Sequence, residues 1–282
     1  MKTLDLGCLS LPVLGQGGWY MGDDPALESS EGSALRLGLE KGLSLIDTAE
    51  MYGSGRSESL IGRALEGIPR ESYLLCSKVY PHNAGHAQIF KSCEASLRRL
   101  KTEFLDLYLL HWRGSVPLEE TIECMEELVL RDRIRRWGVS NLDLGDMREL
   151  LSLPGGERCA VNQILYHLGS RGAEYDLLPY LRQNHIAAMA YCPLAQAGSL
   201  RRGLVLNPAV GAVAKRHETT PFAVLLAFVL RQDWLVAIPK AGRIEHVLAN
   251  AQAAELVLDE ADLTLLDGAF PPPTRRQPLD IV

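Results

Sequence analysis

Short apolar runs alternate with longer amphipathic stretches along almost the whole chain. The apolar runs lie near residues 13–17, 43–47, 73–78, 105–111, 134–139, 159–163, 186–191 and 235–238. Their length and aliphatic content are typical of buried strands, whereas intervening stretches such as 31–41, 88–100 and 118–131 repeat apolar residues every three or four positions, which predicts helices. Eight strand–helix units in a chain of this size favour an α/β fold of the closed (β/α)8 TIM-barrel type over an open doubly wound sheet.

The two ends of the chain depart from this alternation. A turn around Gly7 predicts a short N-terminal hairpin, and the pattern from Asp259 to Gly268 predicts a C-terminal helix that begins near Asp259. The proline-rich stretch 271–276 predicts the end of the packed body, followed by a short tail. No low-complexity linker divides residues 1–282, so we expect one domain.

Composition and charge narrow the classes of ligand. A net charge of -6 and a pI near 5.7 give no field that attracts nucleic acid or an anionic membrane, so an anionic ligand needs a local basic cluster. Six scattered cysteines show neither paired nor zinc-like spacing, and His82 and His86 lie in a loop-like stretch, so no metal site is expected. Without a signal-like apolar run or a membrane-length stretch, the sequence predicts a soluble, cytoplasmic protein.

Polar groups stand where three of the apolar runs end. Asp47 follows one run, Lys78 ends the next and His111 ends the third, while Tyr52 lies five residues after Asp47. The carboxyl ends of parallel strands meet at one mouth of a barrel, where active sites are found. A carboxylate, an ammonium, an imidazole and a phenol in one pocket can donate a proton to a carbonyl oxygen.

The ordinary pKa values of these side chains suggest a role for each of them. Tyr52 is the candidate acid, but a tyrosine pKa near 10 is too high for efficient donation, so we expect the Lys78 ammonium to lower it. Asp47 balances the charge of Lys78, and His111 orients the substrate oxygen.

Each residue alone also has a structural interpretation: a packing tyrosine, a structural Asp–Lys pair or a buried histidine. Their joint occurrence at successive strand ends favours catalysis. Lys78 could instead act as the nucleophile of a Schiff-base lyase, although an adjacent Asp47 disfavours this by holding the amine protonated.

These motifs resemble the signatures of the aldo-keto reductase family. The matching stretches are Asp47-Thr-Ala-Glu-Met-Tyr52-Gly, Ser77-Lys78-Val, Leu110-His111-Trp and Gly138-Val-Ser140-Asn141. The resemblance extends from Gly15-Gln-Gly-Gly-Trp19 to the tail, and it is strongest to bacterial methylglyoxal reductase-like members of the family. It implies a catalytic tetrad of Asp47, Tyr52, Lys78 and His111 and a bound NADP(H). Some relatives of the family are non-catalytic NADPH-binding regulatory subunits, which is the alternative function.

The resemblance also implies how the cofactor is held. The Gly53-Ser-Gly55 stretch begins a G-x-G-x-x-G pattern but lacks its third glycine, which is typical of a polar turn and argues against a Rossmann enzyme. Aldo-keto reductases instead bind the dinucleotide across the barrel mouth. The implied contacts are Gly17, Gly18, Asp47, Ser140, Asn141, Gln163, Tyr191, Cys192, Pro193, Leu194, Lys240, Arg243, His246 and Asn250.

Several of these positions have specific implied roles. Ser140, Asn141 and Gln163 correspond to the residues that bind the carboxamide, and Tyr191 to the ring that stacks on the nicotinamide. The glycines are expected to let the backbone approach the cofactor closely. The cluster of Lys240, Arg243 and His246 corresponds to the 2′-phosphate site, and Asn250 to the adenine contact.

This chain departs from the family at Ala241, often serine, and at His246, often arginine. We therefore expect a preference for NADPH with reduced affinity.

The substrate is expected to be a small carbonyl compound. Trp19, Tyr20, Tyr80 and Trp112 follow strand ends and could form an aromatic wall. The segment after Pro273 is too short for a long substrate-specific loop, which predicts an open site. By resemblance, methylglyoxal and related α-dicarbonyls are the favoured substrates. We expect a monomer or a weak homo-oligomer, with no nucleic acid or membrane as a partner.

Overall fold

A short hairpin precedes the main sheet. The structure, a computed structural model, describes residues 2–7 and 9–282. Strands β1 (Thr3–Asp5) and β2 (Ser10–Pro12) pair antiparallel, which confirms the predicted hairpin, although Cys8 in its connection lies outside the described residues. Four leucines of the hairpin join the apolar cluster that fills the barrel interior, namely Leu4, Leu6, Leu9 and Leu11. The hairpin therefore covers one end of the barrel.

Eight parallel strands form the barrel itself. They are β3 (Gln16–Gly17), β4 (Leu45–Asp47), β5 (Leu74–Val79), β6 (Leu105–Leu110), β7 (Ile134–Ser140), β8 (Val161–Leu165), β9 (Ala187–Tyr191) and β10 (Leu235–Ala237). Each pairs with its neighbour in chain order. The ring closes where Leu14 forms a parallel bridge with Ala237, whose carbonyl accepts from Gly15 N at 2.8 Å. The predicted barrel and all eight predicted strands are confirmed, although β3 starts three residues later than expected and β4 and β8 each start two residues later.

Helices surround the barrel. They are α1 (Glu28–Glu40), α2 (Arg56–Ala64), α3 (Ile89–Leu100), α4 (Leu118–Leu130), α5 (Leu144–Ser152), α6 (Leu177–Gln183), α7 (Ser199–Val205), α8 (Pro208–Arg216), α9 (Pro221–Leu230), α10 (Ile244–Ala253) and α11 (Glu260–Ala269). The predicted helices lie within about three residues of α1, α3 and α4. Asp259 caps α11 by accepting hydrogen bonds from the N–H groups of Ala261 and Asp262, which confirms the predicted start.

The strands are buried on both faces, which explains why they read as continuous apolar runs. In β6, Leu107 and Leu109 point into the barrel, whereas Tyr108 and Leu110 pack against the helices. Side chains alternate with a period of two, so the next inward position is His111. The same alternation carries β4 from Leu45 to Asp47. The innermost layer therefore changes from apolar to polar at the carboxyl ends of the strands.

Two further features concern the described residues. None of their helices is both long and apolar enough to cross a bilayer. Free thiols occur at Cys76, Cys93, Cys124, Cys159 and Cys192.

Candidate active site

The ammonium of Lys78 is the centre of the polar layer. Its side chain is fully buried, and Nζ donates to Asp47 Oδ2 at 2.8 Å, to the Thr48 carbonyl at 2.7 Å and to the Tyr52 hydroxyl at 3.0 Å. An ammonium has three N–H donors, so all of them are used. The charge is thereby fixed in direction as well as balanced by a carboxylate.

Tyr52 reaches Lys78 because of the turn that follows it. The chain passes through left-handed backbone at Gly53, Ser54 and Gly55, with φ of 58°, 54° and 88°, before α2 begins. Glycine accommodates this conformation at two of the three positions without steric cost. The stretch is a tight turn, as expected, and it leaves the Tyr52 ring only 9% exposed.

The effect on the acidity of Tyr52 differs from the expectation. Burial raises the pKa of Tyr52 to about 12, with Lys78 acting to lower it and Asp47 acting to raise it further. The prediction of a net decrease was wrong, because the loss of water around the phenolate and the charge of Asp47 outweigh the ammonium. The phenol therefore stays protonated throughout the neutral range.

Lys78 and His111 are each held in one protonation state. Burial acts to lower the pKa of Lys78, but Asp47 and then Tyr52 raise it above its usual range, so the amine remains an ammonium. Burial, followed by the charge of Lys78, lowers the pKa of His111 to about 2. The imidazole is neutral, lies edge-on to Tyr52 with ring centroids 5.8 Å apart, and its Nδ1 is buried without a partner among the described residues.

Side chains of β7, β8 and β9 connect to this group through hydrogen bonds. Gln163 Nε2 donates to Asp47 Oδ1 at 2.8 Å, and Ser140 Oγ donates to the Gln163 carbonyl at 3.0 Å. Asn141 Nδ2 donates to the His111 carbonyl at 3.1 Å, while its Oδ1 accepts from the Tyr191 hydroxyl at 2.8 Å. The structure thus brings the predicted tetrad and the predicted carboxamide residues into one network.

A cavity of about 620 Å³ opens above the tetrad. The predicted residues that line it are Gly17, Trp19, Tyr20, Asp47, Tyr52, Tyr191, Cys192, Pro193, Leu194, Lys240, His246 and Asn250. The cavity therefore joins the predicted reacting end, at Tyr52, to the predicted adenosine end, at Lys240 and Asn250.

Besides the residues of the hydrogen-bond network, four predicted residues do not line the cavity: Gly18, Tyr80, Trp112 and Arg243. Arg243 is exposed at the residue before α10 and is outside the lining of this cavity. Tyr80 and Trp112 are also outside it and pack on each other with ring centroids 5.9 Å apart, Trp112 being 4.8 Å from His111. Of the four predicted wall aromatics, only Trp19 and Tyr20 face the cavity.

Gly17 and Gly18 lie where two segments of the protein approach each other too closely for a side chain. A Cβ on Gly17 would lie 2.7 Å from the Ile238 carbonyl, and one on Gly18 would lie 2.8 Å from the Asp47 carbonyl and 2.9 Å from Ser57 Oγ. The close approach is between segments of the protein itself. Gly17 lines the cavity, whereas Gly18 does not.

Basic side chains at the rim of the cavity, Lys240 and His246, are more exposed than Lys78. Lys240 is exposed, and its Nζ is 3.1 Å from Oε1 of the buried Glu31. The other carboxylate oxygen of Glu31, Oε2, accepts from Gly22 N at 2.9 Å. His246 is exposed on the first turn of α10.

Several lining residues were missed by sequence reasoning. Arg201 on α7, together with Thr220 and Phe222 at the start of α9, lines the cavity, and Phe222 is 43% exposed. The available signals were a basic residue near the beginning of a helix and an aromatic two residues after a helix cap. Neither indicates which side chain will face the mouth, because that depends on how the helices pack.

The C-terminal tail reaches the mouth of the barrel. Ser170 Oγ donates to Asp280, and a hydrogen bond with the Val282 backbone partly offsets the burial that raises the pKa of Tyr191. The last residues therefore lie beside the predicted nicotinamide-stacking ring.

Comparisons with known proteins agree with this geometry. The model of the Aldo/keto reductase family matches residues 13–270. Methylglyoxal reductase YeaE of Escherichia coli (strain K12) is 55% identical, over 98% of this chain and 97% of that protein. A 29% identical protein of the same organism, covering 94% of this chain and 97% of its own length, is named NADH-specific methylglyoxal reductase.

Solved structures give the same result. The crystal structure of an aldo/keto reductase from Klebsiella pneumoniae in complex with NADP and acetate is 52% identical and superimposes with a TM-score of 0.95, over 97% of this chain and 96% of that one. On the family match, the identity and the shared architecture, this chain belongs to the aldo/keto reductase family.

Proposed function

We propose that the protein reduces small aldehydes and ketones with NADPH, with methylglyoxal and related α-dicarbonyls as favoured substrates. The observation that carries the proposal is the Asp47–Lys78–Tyr52 chain of hydrogen bonds at the floor of an open cavity. Two relatives named methylglyoxal reductases support the substrate class.

The residues present suit a dinucleotide. The cavity is long enough to include both Tyr52 and Asn250 in its lining, and its cationic side chains suit phosphate groups. In this proposal Tyr191 stacks on the nicotinamide, Asn141 binds its carboxamide and Lys240 binds the 2′-phosphate. The NADP and NADPH complexes of the Klebsiella pneumoniae proteins support this choice of cofactor.

In the proposed reaction, bound NADPH supplies a hydride to the carbonyl carbon. Tyr52 donates a hydrogen bond to the carbonyl oxygen and transfers its proton as negative charge develops there. An alkoxide is a stronger base than a phenolate, so the transfer is favourable even with a tyrosine pKa of about 12. Lys78 stabilises the phenolate that remains, and fixed charges of this kind need no reorganisation during the reaction.

His111 orients the carbonyl oxygen as a neutral imidazole. A pKa of about 2 keeps it uncharged at any working pH, so it acts by hydrogen bonding and by its position against the Tyr52 ring. The aromatic side chains of Trp19 and Tyr20, stacked at 4.8 Å, offer an apolar wall for a small substrate.

The test is the loss of NADPH absorbance across a panel of aldehydes and diketones. We expect the wild type to turn over methylglyoxal, and Tyr52→Phe to bind NADPH with unchanged affinity while turnover falls by about 10²- to 10⁴-fold. Tyr175→Phe removes a hydroxyl from a side chain that is 49% exposed and serves as the matched control. Normal turnover by Tyr52→Phe would remove the phenol from the mechanism.

Two other outcomes would replace the proposal. Borohydride trapping of a substrate on Lys78 would indicate a Schiff-base lyase, which the protonated state of Lys78 disfavours. NADPH binding without turnover of any carbonyl on the panel would indicate a regulatory subunit. The proposal also places the protein in the cytoplasm, where its free thiols remain reduced.

A further inference from the structure

We propose that the buried ion pair between Glu58 and Arg99 positions Tyr52 against Lys78, an inference that rests on the proposed function. The pair lies behind the floor of the cavity and is not part of its lining. It contacts the segment that carries Tyr52 and also the strand that carries Lys78. Glu58 and Arg99 are therefore positioning residues, which act on the reaction through the proton donor.

Glu58 holds strand β5 beside Lys78. It lies in the first turn of α2, its side chain is fully buried, and both carboxylate oxygens are used within the protein. Oε1 accepts from Ser77 Oγ at 2.6 Å, and Oε2 accepts from Arg99 Nε at 2.6 Å. Consecutive side chains of a strand point to opposite faces, so Ser77 faces the helices while Lys78 extends into the barrel. The carboxylate thereby fixes the backbone from which the ammonium extends.

Arg99, on α3, packs against the turn that follows Tyr52. A Cβ on Gly55, three residues after Tyr52, would lie 2.6 Å from both Cδ and Nε of Arg99. Arg99 is itself held by Glu58 and by a hydrogen bond from Nη2 to Ser96 Oγ at 3.3 Å. A guanidinium fixed by a buried carboxylate gives the turn a rigid surface to pack on. The phenol therefore cannot withdraw from Lys78 without moving the turn against Arg99.

Ser57 provides a second connection from the first turn of α2 to the floor. Its Oγ donates to the Gly18 carbonyl at 2.8 Å and lies 2.9 Å from Thr48 Oγ1. A hydroxyl has one hydrogen, so Thr48 is the donor in the second bond. The Thr48 carbonyl in turn accepts from Lys78 Nζ at 2.7 Å. A displacement of α2 would therefore disturb both partners of the bond between Lys78 and Tyr52.

The Lys78–Tyr52 bond is the contact most sensitive to such a displacement. At 3.0 Å it is the longest of the three hydrogen bonds from Nζ. A misplacement of about 1 Å in a reacting group can reduce a rate by about 100-fold. The ion pair therefore has its effect on the rate of proton transfer.

The test measures turnover of methylglyoxal and affinity for NADPH in Arg99→Met. We expect kcat to fall by about 10- to 100-fold, because the turn loses its support and Tyr52 moves from Lys78. The dissociation constant of NADPH should stay unaltered, because the ion pair is outside the cavity lining. Arg99→Lys keeps a positive charge beside Glu58 and should recover most of kcat. Arg98→Met, the same substitution at the exposed neighbouring position of α3, is the matched control and should keep the wild-type kcat.

A lower stability must be separated from a misplaced phenol. Arg99→Met leaves Glu58 buried without its cation and will be less stable, so kcat is expressed per NADPH-binding site. The ratio of the rates in H₂O and D₂O should increase in Arg99→Met, because proton transfer from Tyr52 becomes rate-limiting. A smaller folded fraction would leave that ratio unchanged. The double variant Arg99→Met, Glu58→Gln removes both charges and should regain stability, while kcat per site stays low.

The variant Tyr52→Phe tests whether the ion pair acts through the phenol. If Arg99 acts only by positioning Tyr52, Arg99→Met should not lower the residual turnover of Tyr52→Phe any further. Two independent effects would instead multiply.

Three results would overturn the inference. They are an unchanged kcat per site in Arg99→Met, a lowered kcat with the solvent isotope ratio unaltered, and an equal loss from Arg99→Met in the wild type and in Tyr52→Phe. If Tyr52→Phe turns over as fast as the wild type, or if the wild type reduces no carbonyl, the proposed function fails instead. Those outcomes are distinct from the other three.

Discussion

Charged side chains at the floor of the cavity, around Lys78, are paired within the protein, whereas those at its rim, Lys240 and Arg201, are more exposed. At the floor, Lys78 is fully buried and uses every N–H on a partner within the protein. At the rim, Lys240 is exposed and, among the described residues, has one carboxylate partner, whereas Arg201 has backbone partners alone. Charges at the floor are fixed before any ligand arrives, whereas those at the rim remain available to one.

This difference reflects the roles of the two regions. A buried ammonium without Asp47 would lose its proton or destabilise the fold, so the floor requires internal pairing. Binding of a polyanion requires the reverse, because a cation already paired with a carboxylate contributes less to a phosphate. The floor therefore keeps the same charge distribution with or without a ligand, whereas the rim keeps cations that a ligand can bind and release.

The largest expected effect comes from breaking the pair at the floor. Lys78→Met leaves the buried Asp47 without its cation, and removal of one member of a buried ion pair costs about 3–5 kcal/mol. We expect the free energy of unfolding, measured by urea denaturation, to fall by this amount. Turnover should be lost as well.

The double variant Lys78→Met, Asp47→Leu is the control for this prediction. It removes both charges, so much of the stability should return while turnover remains absent. Equal stabilities of the single variant and the wild type would show that the floor is not held by this pair.

The second prediction concerns the pH dependence of stability. His111 has a folded pKa of about 2, below the ordinary value of about 6.5 that applies when the chain is unfolded. Below pH 6.5 the unfolded state therefore binds a proton that the folded state does not, and stability falls as the pH falls. Between pH 6.5 and pH 4 this histidine alone should account for about 3 kcal/mol.

The measurement is the free energy of unfolding of His111→Asn across that pH range. Its decline with acid should be shallower than that of the wild type by about 1.4 kcal/mol per pH unit. His246→Asn, the same substitution at an exposed imidazole of the rim, is the matched control. Parallel curves for wild type and His111→Asn would contradict a neutral, buried His111.

The same contrast explains what could be predicted from the sequence. Strands buried on both faces repeat their inward positions every two residues, so Asp47 and His111 could be assigned to one layer from the pattern alone. The rise in the pKa of Tyr52 could not be predicted, because it depends on how completely the turn at Gly53–Gly55 excludes water.

Rim residues were predicted less well for a related reason. Arg243 was expected in the cavity and lies outside it, whereas Arg201 was not recognised and lies within it. Their positions depend on the packing of α7 and α10, which no local pattern determines. The resemblance to a family identified the segment near Lys240 but did not reveal its partner Glu31, which is 209 residues away in the chain.

The smallest predicted effect tests whether Glu31 tunes the rim. Glu31→Gln removes the carboxylate that competes for Lys240 and keeps an amide oxygen for the hydrogen bond from Gly22. With the competitor neutral, Lys240 should bind the 2′-phosphate more tightly. Because Lys240 is partly exposed, we expect a gain of only about 0.5–1 kcal/mol, or a roughly two- to fivefold lower dissociation constant for NADPH.

NADH is the internal control for this variant, because it lacks the 2′-phosphate and its affinity should not change. If Glu31→Gln increased the affinity for NADPH and for NADH equally, the carboxylate would act on groups that both nucleotides share, such as the pyrophosphate, and not on the 2′-phosphate. If it weakened NADPH, Glu31 would be positioning Lys240 rather than competing for it. The rim would then resemble the floor, with its cation held by an internal carboxylate before the cofactor binds.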